Sequence, residues 1–107
     1  MTRCEFFTQE ERITGFSVSG HSGYAEAGSD IVCAAISAAV AMAETTINDV
    51  CGGKAKVRVK EADARITLTL PAACEEEDAI QAVLAGLMLY LINLRDDYED
   101  YIEVLEV

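Results

Sequence analysis

Apolar and polar residues alternate with a period of two in some parts of the chain and recur at helical spacing in others. Residues 3 to 8 alternate loosely and end on Phe6-Phe7-Thr8. In ITGFSVS, residues 13 to 19, Ile13, Phe16 and Val18 fall near one face, with Gly15 placed for a bulge. Glu10-Glu11-Arg12 between these runs suits a turn, so the pattern predicts a β-hairpin. Lys56 to Lys60 and Arg65 to Leu70 alternate more cleanly around Glu61-Ala62-Asp63-Ala64, which predicts a second hairpin that Pro71 ends. Tyr101 to Val107 reads as a closing strand.

Two segments carry the helical signal. The first should run from about Ile31 to Val50 or Cys51, with Ser29 or Asp30 as N-cap and Gly52-Gly53 as the stop. Its uncharged stretch, Ile31 to Ala43, is shorter than the roughly 20 residues that span a bilayer, so a buried helix is expected. The second opens on Glu75-Glu76-Glu77-Asp78, where the helix dipole favours negative charge. It repeats Ile80, Val83, Leu84, Leu87, Leu91 and Leu94 on one side. Leu89, Tyr90 and Ile92 make its other side apolar too, and in so small a domain that side is available to another subunit. The predicted order is ββαββαβ: an α+β fold with a mostly antiparallel sheet and two helices. With 107 residues, the chain forms one domain over its full length, 1–107.

Charge narrows the partners. Eight Lys and Arg against nineteen Asp and Glu leave a net charge of −11. Phosphate affinity depends on Lys and Arg, so direct nucleic-acid binding is not expected. An acidic domain suits a basic peptide, or simply stays soluble. The opening MTRCEFFTQEERIT has acids and no apolar signal core, so the expected location is cytoplasmic, away from membranes and with reduced thiols. Cys4, Cys33, Cys51 and Cys74 contain no CxxC pair, and one histidine completes no zinc set. No metal or cofactor is expected.

The stretch GHSGYAEAGSDIVCAAIS, residues 20 to 37, concentrates the candidate chemistry. If Asp30 or Ser29 caps the first helix, Cys33 lies in its opening turn. Unpaired N–H groups and the dipole there favour negative charge on sulfur, and the same N–H groups can receive the oxygen of a tetrahedral intermediate. His21, the sole imidazole, can take and return a proton if the loop folds back. Asp30 can cap the helix, orient His21, or do both. Ser37, one turn after Cys33, can bond a substrate or its own helix carbonyl. Gly20, Gly23 and Gly28 allow the loop to approach a peptide closely or hinge over it; a tight connection needs the same residues. Cys33 can also be a small packed residue and His21 a loop residue, which leaves the Cys–His pair one reading among others.

Those residues closely resemble the signature of the ribosomal-processing cysteine proteases, the Prp family. Gly20-His21, Gly28-Ser29-Asp30-Ile31-Val32-Cys33 and Ala34-Ala35-Ile36-Ser37 fall in register with it, and chain length and element order agree. The resemblance implies a homodimeric, metal-free cysteine endopeptidase. Its substrate in that family is the large-subunit ribosomal protein L twenty-seven, made with an N-terminal extension. Cleavage there follows a phenylalanine pair near a basic run. By position, Cys33 would be the nucleophile, His21 the general base and acid and Asp30 their support, with Gly20, Gly28 and Ser37 shaping the site. Two other readings remain: a non-catalytic acidic dimer that binds a basic ribosomal protein, and a thiol sensor pairing Cys33 with Cys51.

Overall fold

Thr2–Gln9 (β1) and Arg12–Ser19 (β2) pair antiparallel from Gln9↔Arg12 to Arg3↔Ser19, which leaves Glu10 and Glu11 as a two-residue turn. Both glutamates take positive φ, 52° and 67°. Positive φ at both positions follows the twist of a hairpin, although Asn-Gly is the usual occupant. Pairing jumps from Phe7↔Gly15 to Thr8↔Ile13, so the extra residue of the bulge is Thr14, one place before the expected Gly15. Gly15 answers a different need: a Cβ there would lie 2.2 Å from the carbonyl oxygen of Leu68 on the next strand. Gln81 compensates the disturbed ladder. Its amide oxygen accepts from the Ile13 N–H and its amide nitrogen donates to the Ile13 carbonyl, both at 2.8 Å.

The computed structural model describes residues 1–26 and 28–107. The second hairpin, Lys56–Lys60 (β3) and Arg65–Thr69 (β4), turns through a short 3-10 segment at Glu61–Asp63 and joins β2 through β4. Ile102–Glu106 (β5) closes the other edge. The five-stranded order is β3-β4-β2-β1-β5. All pairs are antiparallel except β1 with β5, which is parallel because the chain crosses over through the second helix before returning. The order ββαββαβ matches the expected α+β class.

Ile31–Thr45 (α1) runs on through a π-helical turn at Thr46–Val50, and Glu77–Asp97 (α2) lies beside it. One core joins them to the sheet: Val32, Ile36, Val40, Ala43 and Ile47 from α1 and its extension, and Ile80, Leu84, Leu87 and Leu91 from α2. They meet Cys4, Phe6, Phe16, Val18, Leu68 and Ile102 from the strands. The opposite sheet face is polar. There Arg65 donates to the Ser17 hydroxyl at 2.8 Å and approaches Glu5.

Ile31–Val50, which is α1 with its π-helical turn, and Glu77–Asp97 are each long and apolar enough to cross a membrane, yet each gives only one face to this core. The expectation of a buried first helix is therefore corrected. Ile31 is 56 % exposed and Met42 69 %, because the sheet covers α1 from one side only. Leu89 and Tyr90 likewise leave an apolar outer face on α2, 59 % and 43 % exposed.

Arg12 ties the first hairpin to the start of α2. Its guanidinium hydrogen-bonds the Glu77 carboxylate and donates to the Pro71 carbonyl at 2.8 Å. The bond from Arg12 holds the Glu77 carboxyl below its ordinary value. A lowered folded-state value means the stabilisation is present above the ordinary value of 4.5 and is lost as pH falls below it. The R12A variant should lose about 1 kcal/mol at neutral pH, a charge-assisted bond discounted for partial exposure. The deficit should shrink in urea titrations carried out toward pH 3. A deficit independent of pH would show that Arg12 contributes by packing alone.

Candidate active site

The site begins at the helix cap. Asp30 sits in extended backbone at the N-cap of α1, and its Oδ1 accepts from the N–H groups of Val32 at 3.0 Å and Cys33 at 2.9 Å. Asp30, not Ser29, is the cap. The other carboxylate oxygen accepts from the Ser22 hydroxyl. Burial alone would push the Asp30 carboxyl up. Hydrogen bonds from the Ser22 hydroxyl, from Cys33 and from the Ala25 N–H outweigh it and hold the group at about 2. Asp30 therefore carries its charge at neutral pH, and the bonds it accepts weaken only as pH falls from 3.8 toward 2.

This cap changes one expectation. The Val32 and Cys33 N–H groups were candidates to receive an oxyanion, but the Asp30 side chain occupies them. A different donor faces the sulfur: the backbone N–H of Ser22, 3.3 Å from Cys33 Sγ. The thiol in turn donates to the Ser22 hydroxyl at 3.5 Å. Ser22 is 2 % exposed. Its place next to His21 in a glycine-rich loop gave no sign that its hydroxyl turns inward.

The loop is held at three points. Gly20 takes φ 82°, and a Cβ on it would come within 2.8 Å of the Met1 carbonyl oxygen, so both the conformation and the space call for glycine. Ser22 is tied to Asp30. Tyr24 packs edge-on against Tyr98 and Tyr101, with ring centroids 5.6 Å and 5.3 Å away.

Cys33, His21, Asp30, Ser37, Gly20 and Gly28 all line one open cavity of about 920 Å³. Cys33 is partly exposed there, while His21 and Ser37 are exposed. The structure brings His21 to the cavity wall but not into hydrogen-bond contact with Cys33 or Asp30, among the described residues. The far wall, from Val59 to Glu61 and from Ala64 to Ile66, was missed from sequence because it comes from the second hairpin. Val18, Ile36, Val40 and Ile66 give the cavity an apolar floor. Thr2 also lines it and holds the one buried side-chain polar atom without a partner among the described residues. The other thiols differ. Cys4 is fully buried, which pushes it up to about 12, and burial also raises Cys74.

A partly exposed thiol at a capped helix opening and an exposed imidazole thus line the same cavity. The family model for cysteine protease Prp matches residues 1–103. The ribosomal processing cysteine protease Prp of Bacillus subtilis (strain 168) is 25 % identical over 99 residues, covering 91 % of this chain and 88 % of that protein. The crystal structure of the essential ribosomal processing protease Prp from S. aureus with a covalently linked product peptide superposes with a TM-score of 0.90 at 19 % identity, over the full length of both chains. The same protease with a substrate peptide gives 0.85 at 18 %, again over both full lengths. The chain belongs to the Prp family of cysteine proteases.

Proposed function

We propose that this chain is an endopeptidase that removes the N-terminal extension of ribosomal protein L twenty-seven by a Cys33–His21 dyad. The observation that carries the chemistry is the sharing of one open cavity by thiol, imidazole and carboxylate. His21 takes the Cys33 proton, and the thiolate attacks the carbonyl carbon of the scissile bond. The oxyanion is met by the Ser22 N–H, which faces the sulfur. His21 then gives its proton to the leaving amine, and a thioester remains. Water adds to the thioester as His21 removes its proton, the C–S bond breaks, and the thiol re-forms with release of the acid. For this the exposed His21 side chain must swing toward the sulfur when peptide fills the cavity. Asp30 supports the pair by anchoring the helix opening and Ser22. Gly28 and Ser37 shape the cavity beside them.

The substrate reading rests on the relatives' names, on net charge and on lining. A −11 protein draws in the basic N-terminal region of a ribosomal protein, and the attraction weakens as salt rises. The floor of Val18, Ile36, Val40 and Ile66 offers the apolar surface that a phenylalanine pair needs. The test is turnover of a peptide carrying Phe-Phe-Ala followed by a basic run, read by mass spectrometry before and after alkylation of Cys33. Cleavage at one bond, abolished by alkylation, is expected. Binding without cleavage would instead establish the non-catalytic acidic module.

The proposed homodimer uses the outer helix faces. Ala35, Ala38, Ala39 and Met42 of α1 and Val83, Gly86 and Tyr90 of α2 line an apolar groove that this fold leaves open. A second copy covers it. Met42→Glu places a charge there and should turn a dimer into a monomer in sedimentation equilibrium at micromolar concentration. An unchanged dimer mass in that variant would move the interface elsewhere.

A further inference from the structure

Ser22 has no part in the reaction as set out above beyond its backbone N–H, yet its buried side chain bridges Asp30 and Cys33, two residues that line the cavity. Its hydroxyl is buried, donates its only proton to Asp30, accepts from the Tyr24 N–H at 3.3 Å, and lies 3.5 Å from the Cys33 sulfur with a lone pair left for it. A hydroxyl has one proton to donate and lone pairs to accept with. With that proton given to a carboxylate that is ionised at neutral pH, Ser22 Oγ can offer the sulfur only its lone pairs. The negative end of the hydroxyl dipole then faces the sulfur, accepting the S–H of a thiol and repelling a thiolate.

We propose that Ser22 is a positioning residue that holds the resting Cys33 as a neutral thiol, its S–H directed to the Ser22–Asp30 pair and away from His21. The inference deepens the dyad reading and rests on it for its catalytic meaning. Its physical content stands on the hydrogen bonds alone. The thiol proton reaches His21 only after the bond to Ser22 breaks, so the empty site keeps its nucleophile unreactive. The Ser22 N–H stays on the sulfur when that proton leaves, and so supports the thiolate once it forms. The titratable and charged groups that line the cavity with Cys33 are Asp30 and Glu44 from the cap and body of α1, His21 from the loop, and Lys60, Glu61 and Arg65 from the hairpin wall, the Arg65 guanidinium turning to Ser17 on the other sheet face. All of them remain when only the Ser22 hydroxyl is removed.

The test is the pH dependence of iodoacetamide labelling of Cys33 in the full-length protein. The Cys33 peptide is followed by mass spectrometry, so that Cys51 and Cys74 do not contribute. Ser22→Ala deletes the hydroxyl and keeps the N–H. Its labelling profile should move to lower pH by about half a unit to one unit, giving about three- to tenfold faster labelling below the midpoint. Ser22→Thr keeps the hydroxyl and should restore the wild-type profile. A purely structural role predicts that both variants change together, with loss of helix signal by circular dichroism. A Ser22→Ala profile that coincides with wild type, or moves to higher pH, overturns the proposal. So does a shift that Ser22→Thr does not reverse. Peptide turnover is measured alongside. A shifted labelling profile in a protein that cleaves nothing would sink the protease reading while leaving the hold of Ser22 on the thiol intact.

Discussion

Cys33→Ala is expected to reduce peptide cleavage by a factor on the order of 10⁶, to the level of a blank, with little loss of stability. Removing the nucleophile of a covalent protease takes away the path through the acyl intermediate, and losses of that size are the rule when the attacking atom goes. Stability should hold because Cys33 is only partly buried, and the bonds that cap α1 run from its backbone N–H, which alanine retains. Cys51→Ala is the control. Cys51 is also partly buried and packs against the core at the far end of the α1 extension, away from the cavity lining. Full activity in Cys51→Ala beside none in Cys33→Ala assigns the reaction to one sulfur. Comparable turnover in both would remove Cys33 from the mechanism, and the cavity would then be a peptide groove without a nucleophile.

The largest effect on stability is expected at Phe16. Its ring is 0 % exposed, at the centre of β2, with its centroid 5.8 Å from that of Phe6 on the neighbouring strand. Truncation to alanine leaves a cavity in the core that joins sheet and helices, which a sheet pinned by the Gly15–Leu68 approach cannot collapse to fill. Such truncations cost about 3–5 kcal/mol, against a total of about 5–15 kcal/mol for a domain. Each kcal/mol shifts the melting temperature of a domain this size by about 4–8 °C. Phe16→Ala should therefore melt at least about 12 °C below wild type by calorimetry, and Phe16→Leu much closer to it. A drop of less than about 4 °C in the alanine variant would mean that the two helices, and not the sheet centre, hold the core together.

How far the sequence could be read follows from what each signal depends on. Strand order along the chain, the two helices and the N-cap all rest on local patterns, and all appear where those patterns place them. The parallel pairing of β5 with β1 depends on which sheet edge is free after α2, and no run of residues encodes that. The first helix reads as buried because thirteen uncharged residues in a row suit either a buried helix or one with an apolar outer face. In the site, Cys33, His21 and Asp30 stand out by residue type, since few side chains do their chemistry. Ser22 and the Val59–Ile66 wall do not. One depends on the inward turn of a loop, the other on a hairpin more than twenty residues further along the chain. The Asp30 N-cap also hid a competition visible only in coordinates: the carboxylate that steadies the helix opening uses the N–H groups that an oxyanion would have wanted.

The π turn at Thr46–Val50 links these two halves of the site. It carries Asn48, whose side-chain amide accepts from the Ala55 N–H at 2.8 Å and donates to the Ala55 carbonyl at 3.1 Å, just before β3 begins. The rod that bears the sulfur at one end thus grips, at the other, the base of the hairpin that faces it. Cleft width is in this way set at a joint remote from any reacting atom, and a single-residue deletion in that joint would retune which side chains fit without altering one group that performs the cut.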